Sequence, residues 1–169
     1  MTLDEATQAL AAAGIDNPRM EARLLFAHAL GISRDQTLTA AATPEQARTM
    51  IERHLKNPEE FWGEYVIPAI ARNEAAFKDQ QYWRGRIWGP MNYLVYLGLR
   101  NYEAAAVRKD FADKSYALFA KEWTENGHVH ENYNAVTGTG DDVTSSDRFY
   151  HWGALLGYVE FLERSGESH

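Results

Sequence analysis

The residue in this chain whose surroundings best suit chemistry is Glu131, within His128-Val129-His130-Glu131-Asn132-Tyr133-Asn134-Ala135-Val136-Thr137-Gly138. It is flanked by His130, Asn132, Tyr133 and Asn134 and bounded by Gly127 and Gly138. Such neighbours hold a carboxylate by hydrogen bonds in a loop rather than leaving it solvated on a helix face. That suits a carboxylate which stays ionised and orients a water molecule. The competing reading is an ordinary surface glutamate, the common state of this residue type. His128 and His130 read as scaffolding of the loop. The chain has no cysteine, and its six histidines show no His-Glu-x-x-His spacing, so no metal centre is expected.

A second stretch, Gln80-Gln81-Tyr82-Trp83-Arg84-Gly85-Arg86-Ile87-Trp88-Gly89-Pro90, gathers three aromatic and two guanidinium side chains around two glycines. The mixture is too polar for a core and too aromatic for ordinary surface, and sugars need such a surface. Flat rings such as Tyr82, Trp83 and Trp88 cover the apolar C–H faces of a pyranose, while Gln81 and Arg86 address its hydroxyls. The alternative is that Trp83 and Trp88 are core residues at the start of a helix.

The elements that carry these motifs differ along the chain. Among 169 residues, Phe26 is the one aromatic before residue 50; all five Trp, all nine Tyr and the other six Phe follow it. The Ala- and Leu-rich first segment reads as a small helical bundle. Capping-box patterns start at Thr2, Ser33 and Thr43, Pro18 opens a helix and Gly31 closes it. Helices are predicted near 3–13, 18–30, 34–41 and 44–55. From Arg48 the chain is expected to stay mainly helical, with apolar helices over 91–99, 103–125 and 147–163 and a polar loop over 126–146 that holds Glu131. Asp147 is expected as the N-cap of the last helix, with Asp141 and Asp142 in a turn after Gly140. The fold class is all-α.

Composition narrows the function. No apolar run approaches the length of a membrane span, so a membrane partner is not expected. The N-terminus lacks the basic and apolar regions of a signal peptide, and a cytoplasmic product is expected. A net charge of −7 without a basic stripe argues against nucleic acid as a partner.

Residues 11–34 resemble the N-terminal helical domain of the release-factor glutamine methyltransferases. That resemblance implies a module, residues 1–47, which recognises a release factor. The glycine-rich cofactor loop and the Asn-Pro-Pro-Tyr-type motif of the family are missing, so methyl transfer is not expected. Residues 48–169 form the second expected domain. Asn57 to Tyr65, Tyr82 to Asn92, His130 to Gly138 and Asp142 to Gly153 resemble glycoside hydrolase family 63. The resemblance implies the last helices of an (α/α)6 toroid, an incomplete barrel. It also implies inverting hydrolysis of an α-linked saccharide or glycosyl-glycerate-type substrate with no redox or organic cofactor. On it, Glu131 is the general base and Tyr82, Trp83 and Trp88 touch sugar. The family's general acid lies far upstream of the matching stretch, so the expectation is a chain inactive alone. It would need a complementary half-barrel, would self-associate, or would be a non-functional fusion.

Overall fold

The structure, a computed structural model, describes residues 3–30 and 43–166. The helix expected over 34–41, the caps at Thr2 and Ser33 and the stop at Gly31 lie outside the described residues. The chain divides into two compact units, residues 1–43 and 44–169.

In the first unit, α1 (Leu3–Ala12) and α2 (Pro18–Leu30) pack on each other. Gly14, at φ 73°, takes the left-handed turn that ends α1, and Pro18 opens α2 where its missing N–H matters least. The buried residues of the pair are alanines: Ala6, Ala22 and Ala27.

The second unit begins with α3 (Pro44–Met50). The continuous helix expected over 44–55 instead widens into a π-turn over Ile51–Leu55, where Lys56 N–H donates to the Ile51 carbonyl at 2.9 Å. The wider turn leaves Ile51 in the core with Leu55 packed against it. From residue 56 to 86 the chain is not α-helical, contrary to expectation. A 3-10 turn, Ala75–Asp79, is its longest regular piece. Distant side chains satisfy the backbone here: buried Asn92 donates to Ile67 O at 3.0 Å and accepts from Ile67 N–H at 3.1 Å. Three helices then build the core: α4 (Gly89–Leu99), α5 (Ala105–Asn126) and α6 (Ala154–Ser165). Tyr96 and Leu99, Phe111 and Leu118, and Leu156, Val159 and Leu162 meet there. Gly127, at φ 70°, caps α5 by donating its N–H to Trp123 O.

The last helix corrects the expectation for Asp147. It starts with a 3-10 turn at His151 and becomes α-helical at Ala154, with no side-chain cap. Residues 147–149 are taken up by pairing with 129–131 instead, through Glu131 N–H to Asp147 O at 2.9 Å and Phe149 N–H to Val129 O at 2.7 Å. The described structure is all-α apart from one two-stranded ribbon, β1 (Ile87–Trp88) with β2 (Asn132–Tyr133). No helix of the described residues is long and apolar enough to cross a membrane.

Candidate functional site

That ribbon joins the two motifs. β1 and β2 run antiparallel with Ile87 opposite Tyr133 and Trp88 opposite Asn132, so Glu131 immediately precedes the residue facing Trp88. Partners directly across a ribbon point to one face, and on that face Arg86, Trp88 and Asn132 converge.

Arg86 has no solvent-accessible surface and uses all five of its N–H donors. Its Nε donates to Asn132 Oδ1. Nη1 donates to Gln80 O at 3.2 Å and Asp142 Oδ2 at 3.1 Å, and Nη2 to Asp142 Oδ1 at 2.8 Å and Thr139 O at 3.3 Å. The fork grips the Asp142 carboxylate through both oxygens. Burial pushes the Asp142 carboxyl up, but the bonds from Arg86 and Asn134 and the guanidinium charge outweigh it and hold the group below its ordinary value. Arg86 thus reaches a ligand only through its neighbours, because every donor is committed to the protein.

The aromatic side of the site has a similar order. Trp88 is fully buried and its Nε1 donates to Tyr82 O at 3.2 Å. Trp83 stacks on it at 3.7 Å and 12°, while Tyr82 meets it edge-on at 4.8 Å. Trp83 and Tyr82 are 46% and 41% exposed, so these are the rings that present a face to solvent. Gln81 is also exposed and bridges Arg84 through its backbone. The turn is tight: Gln80 and Tyr82 have φ of 46° and 48°, and Gly85 has φ of 101°. A Cβ on Gly85 would lie 2.6 Å from Phe77 O.

Glu131 is 9% exposed. Burial, then the charge of Asp147, raise its pKa, and a bond from Asn132 Nδ2 at 3.4 Å to Oε2 only partly offsets them. The surroundings therefore favour protonation more than the polar neighbours in sequence suggested. Asn132 is held in turn by Ser145 O at 2.9 Å and by an exchange of bonds with the Ser146 hydroxyl. Asp141, by contrast, accepts from Arg148 and hydrogen-bonds His130, which lower its pKa in that order.

The histidines that read as scaffolding from the sequence are tightly placed. One nitrogen of His128, one of His130 and a carboxylate oxygen of Asp141 lie within 4.8 Å of one another. His130 Nδ1 bonds Glu122 Oε2 at 2.7 Å, with both side chains fully buried. Glu122, Asn132, Asp142 and Asp141 were not among the site residues expected from sequence. Their one signal was polarity, with Glu122 sitting in an amphipathic helix and the others in a polar loop.

The second unit carries two open hollows. One of about 550 Å³ is walled by residues 141–144 and 146–148, the other, of about 520 Å³, by α5 and α6 aromatics including Tyr116, Tyr158 and Phe161. Neither counts Glu131 or the Tyr82–Trp83 rings among its walls.

Residues 2–57 match the PrmC N-terminal domain. Residues 36–153 match the mannosylglycerate hydrolase MGH1-like glycoside hydrolase domain. Similar proteins include the mannosyl-oligosaccharide glucosidase of Saccharomyces cerevisiae, 31% identical over 116 residues, covering 60% of this chain and 14% of that protein. The mannosylglycerate hydrolase of Thermus thermophilus is 32% identical over 119 residues, covering 69% of this chain and 26% of that protein. Mannosylglycerate hydrolase MGH1 of Selaginella moellendorffii is 32% identical over 76 residues, 45% of this chain and 14% of that protein. The match thus spans between about a seventh and about a quarter of these relatives' length. With residues 36–153 matched, most of its length, the chain belongs to the mannosylglycerate hydrolase MGH1-like glycoside hydrolase domain family.

Proposed function

We propose that residues 48–169 form the base-bearing side of an inverting α-glycosidase site, with Glu131 as general base and Tyr82 and Trp83 as the platform under the sugar. What supports this reading is the Trp88–Asn132 register, which puts Glu131 one residue along the backbone from the position opposite Trp88. Gln81 lies at the platform's edge for hydroxyl contact, and Trp88 and Arg86 support the surface from beneath. In inversion, a carboxylate takes a proton from water as its oxygen attacks the anomeric carbon. A carboxylic acid gives a proton to the departing oxygen, with the two carboxyl groups about 6.5–9.5 Å apart. A base whose pKa is raised by burial binds that proton more strongly than a solvated one.

The acid is a separate matter. Asp141 and Asp142 are paired with Arg148 and Arg86, and their pKa values are lowered, the wrong direction for a proton donor. The reading is that Asp141 and Asp142 do not serve as the acid, and that hydrolysis needs an acid from outside the matched stretch. The substrate class proposed is an α-linked saccharide or a glycosyl-glycerate; the relatives' names give mannosyl-oligosaccharide and mannosylglycerate for those proteins. Loss of the acid alone lowers the rate by about 10²–10⁴-fold.

The test is hydrolysis of aryl α-mannosides, aryl α-glucosides and mannosylglycerate by the chain, with tryptophan fluorescence read during saccharide titration. No turnover is expected, together with a saccharide-dependent signal lost in Trp83→Ala. Turnover abolished by Glu131→Gln would overturn the missing-acid reading while keeping the base; turnover indifferent to that substitution would remove the base. A second reading attaches to the first unit, because residues 2–57 match the PrmC N-terminal domain. There α1 and α2 dock a release factor, which a pull-down with purified release factor tests directly.

A further inference from the structure

We propose that His128, His130 and Asp141 form a binding site for a divalent transition-metal ion of zinc type, beside the loop that carries Glu131. The starting point is an atom without a partner. His128 is 8% exposed, and its Nδ1 faces the Asn126 carbonyl at 2.8 Å. A carbonyl only accepts, so Nδ1 carries the hydrogen and donates it. The other nitrogen, Nε2, is then a bare lone pair, and it has no hydrogen-bond partner among the described residues. A buried polar atom left unpaired is costly unless something occupies its lone pair.

The neighbouring groups define what that is. His130 is fully buried, and its Nδ1 meets the carboxylate of Glu122 at 2.7 Å, leaving Nε2 pointing at Asp141 Oδ1 at 3.1 Å. Both histidines therefore have the arrangement of metal-ligating imidazoles: Nδ1–H held by a backbone carbonyl or a carboxylate, and Nε2 turned to the ion. The ligand atoms of all three residues lie within 4.8 Å of one another. Tetrahedral zinc with bonds of about 2.0–2.1 Å needs them about 3.3 Å apart; His130 Nε2 and Asp141 Oδ1 are already at 3.1 Å, so closing the site requires His128 to approach that pair. Binding displaces to solvent any proton held between His130 and Asp141 and leaves a fourth position for water. Two imidazoles and one carboxylate suit zinc, cobalt or nickel better than calcium or magnesium, which take oxygen ligands.

The local backbone is built for this approach. A Cβ on Gly140 would lie 2.2 Å from His130 Cγ, so only glycine brings the Asp141 loop this close to the imidazole. The ion ties the turn after α5 to the 139–142 loop, and Glu131 and Asp142 are next in sequence to its ligands. Its role is to fix the loop that presents the base, and it stands whether or not that base is catalytic.

The experiment uses the full chain, stripped with chelator and titrated with Co²⁺ and Zn²⁺. Expected are one equivalent bound, visible Co²⁺ bands of four- or five-coordinate intensity, a rise in melting temperature with Zn²⁺, and affinity at least tenfold weaker in Asp141→Asn. His128→Ala should abolish the bands. Because His128 is buried and its truncation can disturb the fold, Asp141→Asn and the wild-type spectrum carry the test independently. No saturable binding at micromolar Zn²⁺, or binding unchanged in Asp141→Asn, would overturn the site. The second outcome would assign the ion to other histidines such as His54 or His151.

Discussion

Arg86→Met tests whether Arg86 binds sugar or holds the site together. The side chain is fully buried with five acceptors on it: Asn132, Asp142 twice, and the carbonyls of Gln80 and Thr139. Methionine fills similar volume and supplies no donor. Removing one partner of a buried ion pair costs about 3–5 kcal/mol because the other charge stays behind unpaired. Asp142 is 28% exposed and recovers part of this from water, which pulls the figure toward the lower end. Two carbonyls and an amide oxygen then lose a donor, at roughly 1 kcal/mol each where water cannot reach them. The expectation is about 3–6 kcal/mol, depending on how many of those acceptors water reaches, a large share of the roughly 5–15 kcal/mol that holds a domain folded. Arg86→Lys keeps the charge but not the fork and should fall between the two. Urea unfolding followed by tryptophan fluorescence measures this. The pH dependence has a definite sign. Asp142 has a lowered pKa in the fold, so its stabilisation is complete above the unfolded-state value and lost as pH falls below about 4. Asp142→Asn should flatten that acid limb. A loss below about 1 kcal/mol in Arg86→Met, with saccharide binding removed, would refute the structural role and return Arg86 to direct contact.

Glu131→Gln should stabilise the chain at neutral pH, because burial and Asp147 raise the Glu131 pKa and its ionised form is disfavoured in the fold. The gain should shrink as pH falls through the raised folded-state pKa and be gone below the unfolded glutamate value of about 4.3, and a neutral or destabilising effect at pH 7 would contradict it. Gly85→Ala should cost about 1–3 kcal/mol by thermal or chemical melting, since φ of 101° is closed to alanine and its Cβ would meet the Phe77 carbonyl; an unchanged melting point would show that the turn relaxes. Tyr116, Trp123, Tyr158 and Phe161 are 45%, 56%, 39% and 55% exposed on α5 and α6, so the chain should self-associate or bind a hydrophobic dye at micromolar concentration. Sedimentation showing a monodisperse monomer without dye binding would count against an uncovered barrel face.

Helices whose limits are written locally were legible in the sequence. Pro18 starts α2, Gly127 ends α5, and apolar spacing marks α4, so these come within one or two residues of expectation. Residues 56–86 were not legible, because their backbone is closed by side chains far along the chain: Asn92 on Ile67, Arg72 on Ala135, Gln80 on Ala135. Aromatic density there looked like helical core, but no local pattern reports a remote clamp. The site divides the same way. Glu131 and the Tyr82–Trp83 pair stood out by residue type, whereas the Arg86 grip on Asp142, 56 positions away, appears only once the ribbon is formed. Asp147 was misread as a helix cap because pairing between 147–149 and 129–131 claimed those residues first.

This pairing bears on what the loop is for. A loop that served only to link α5 to α6 would gain by leaving its glutamate in water, where ionisation is free of cost. Here Glu131 is enclosed beside Asp147 and, among the described residues, given one weak side-chain donor, while Arg86, Asn132, Ser146 and Gly153 hold the surrounding backbone against relaxing. A Cβ on Gly153 would lie 2.5 Å from His130 O, so α6 begins hard against the residue preceding Glu131. Local cost maintained by a rigid surround is what a site kept for use is expected to show, because a loop free of such a role would relax to expose its glutamate. The Glu131→Gln measurement is thus a test of function as well as of electrostatics: a stabilised variant means that the fold bears a carboxylate it would be more stable without.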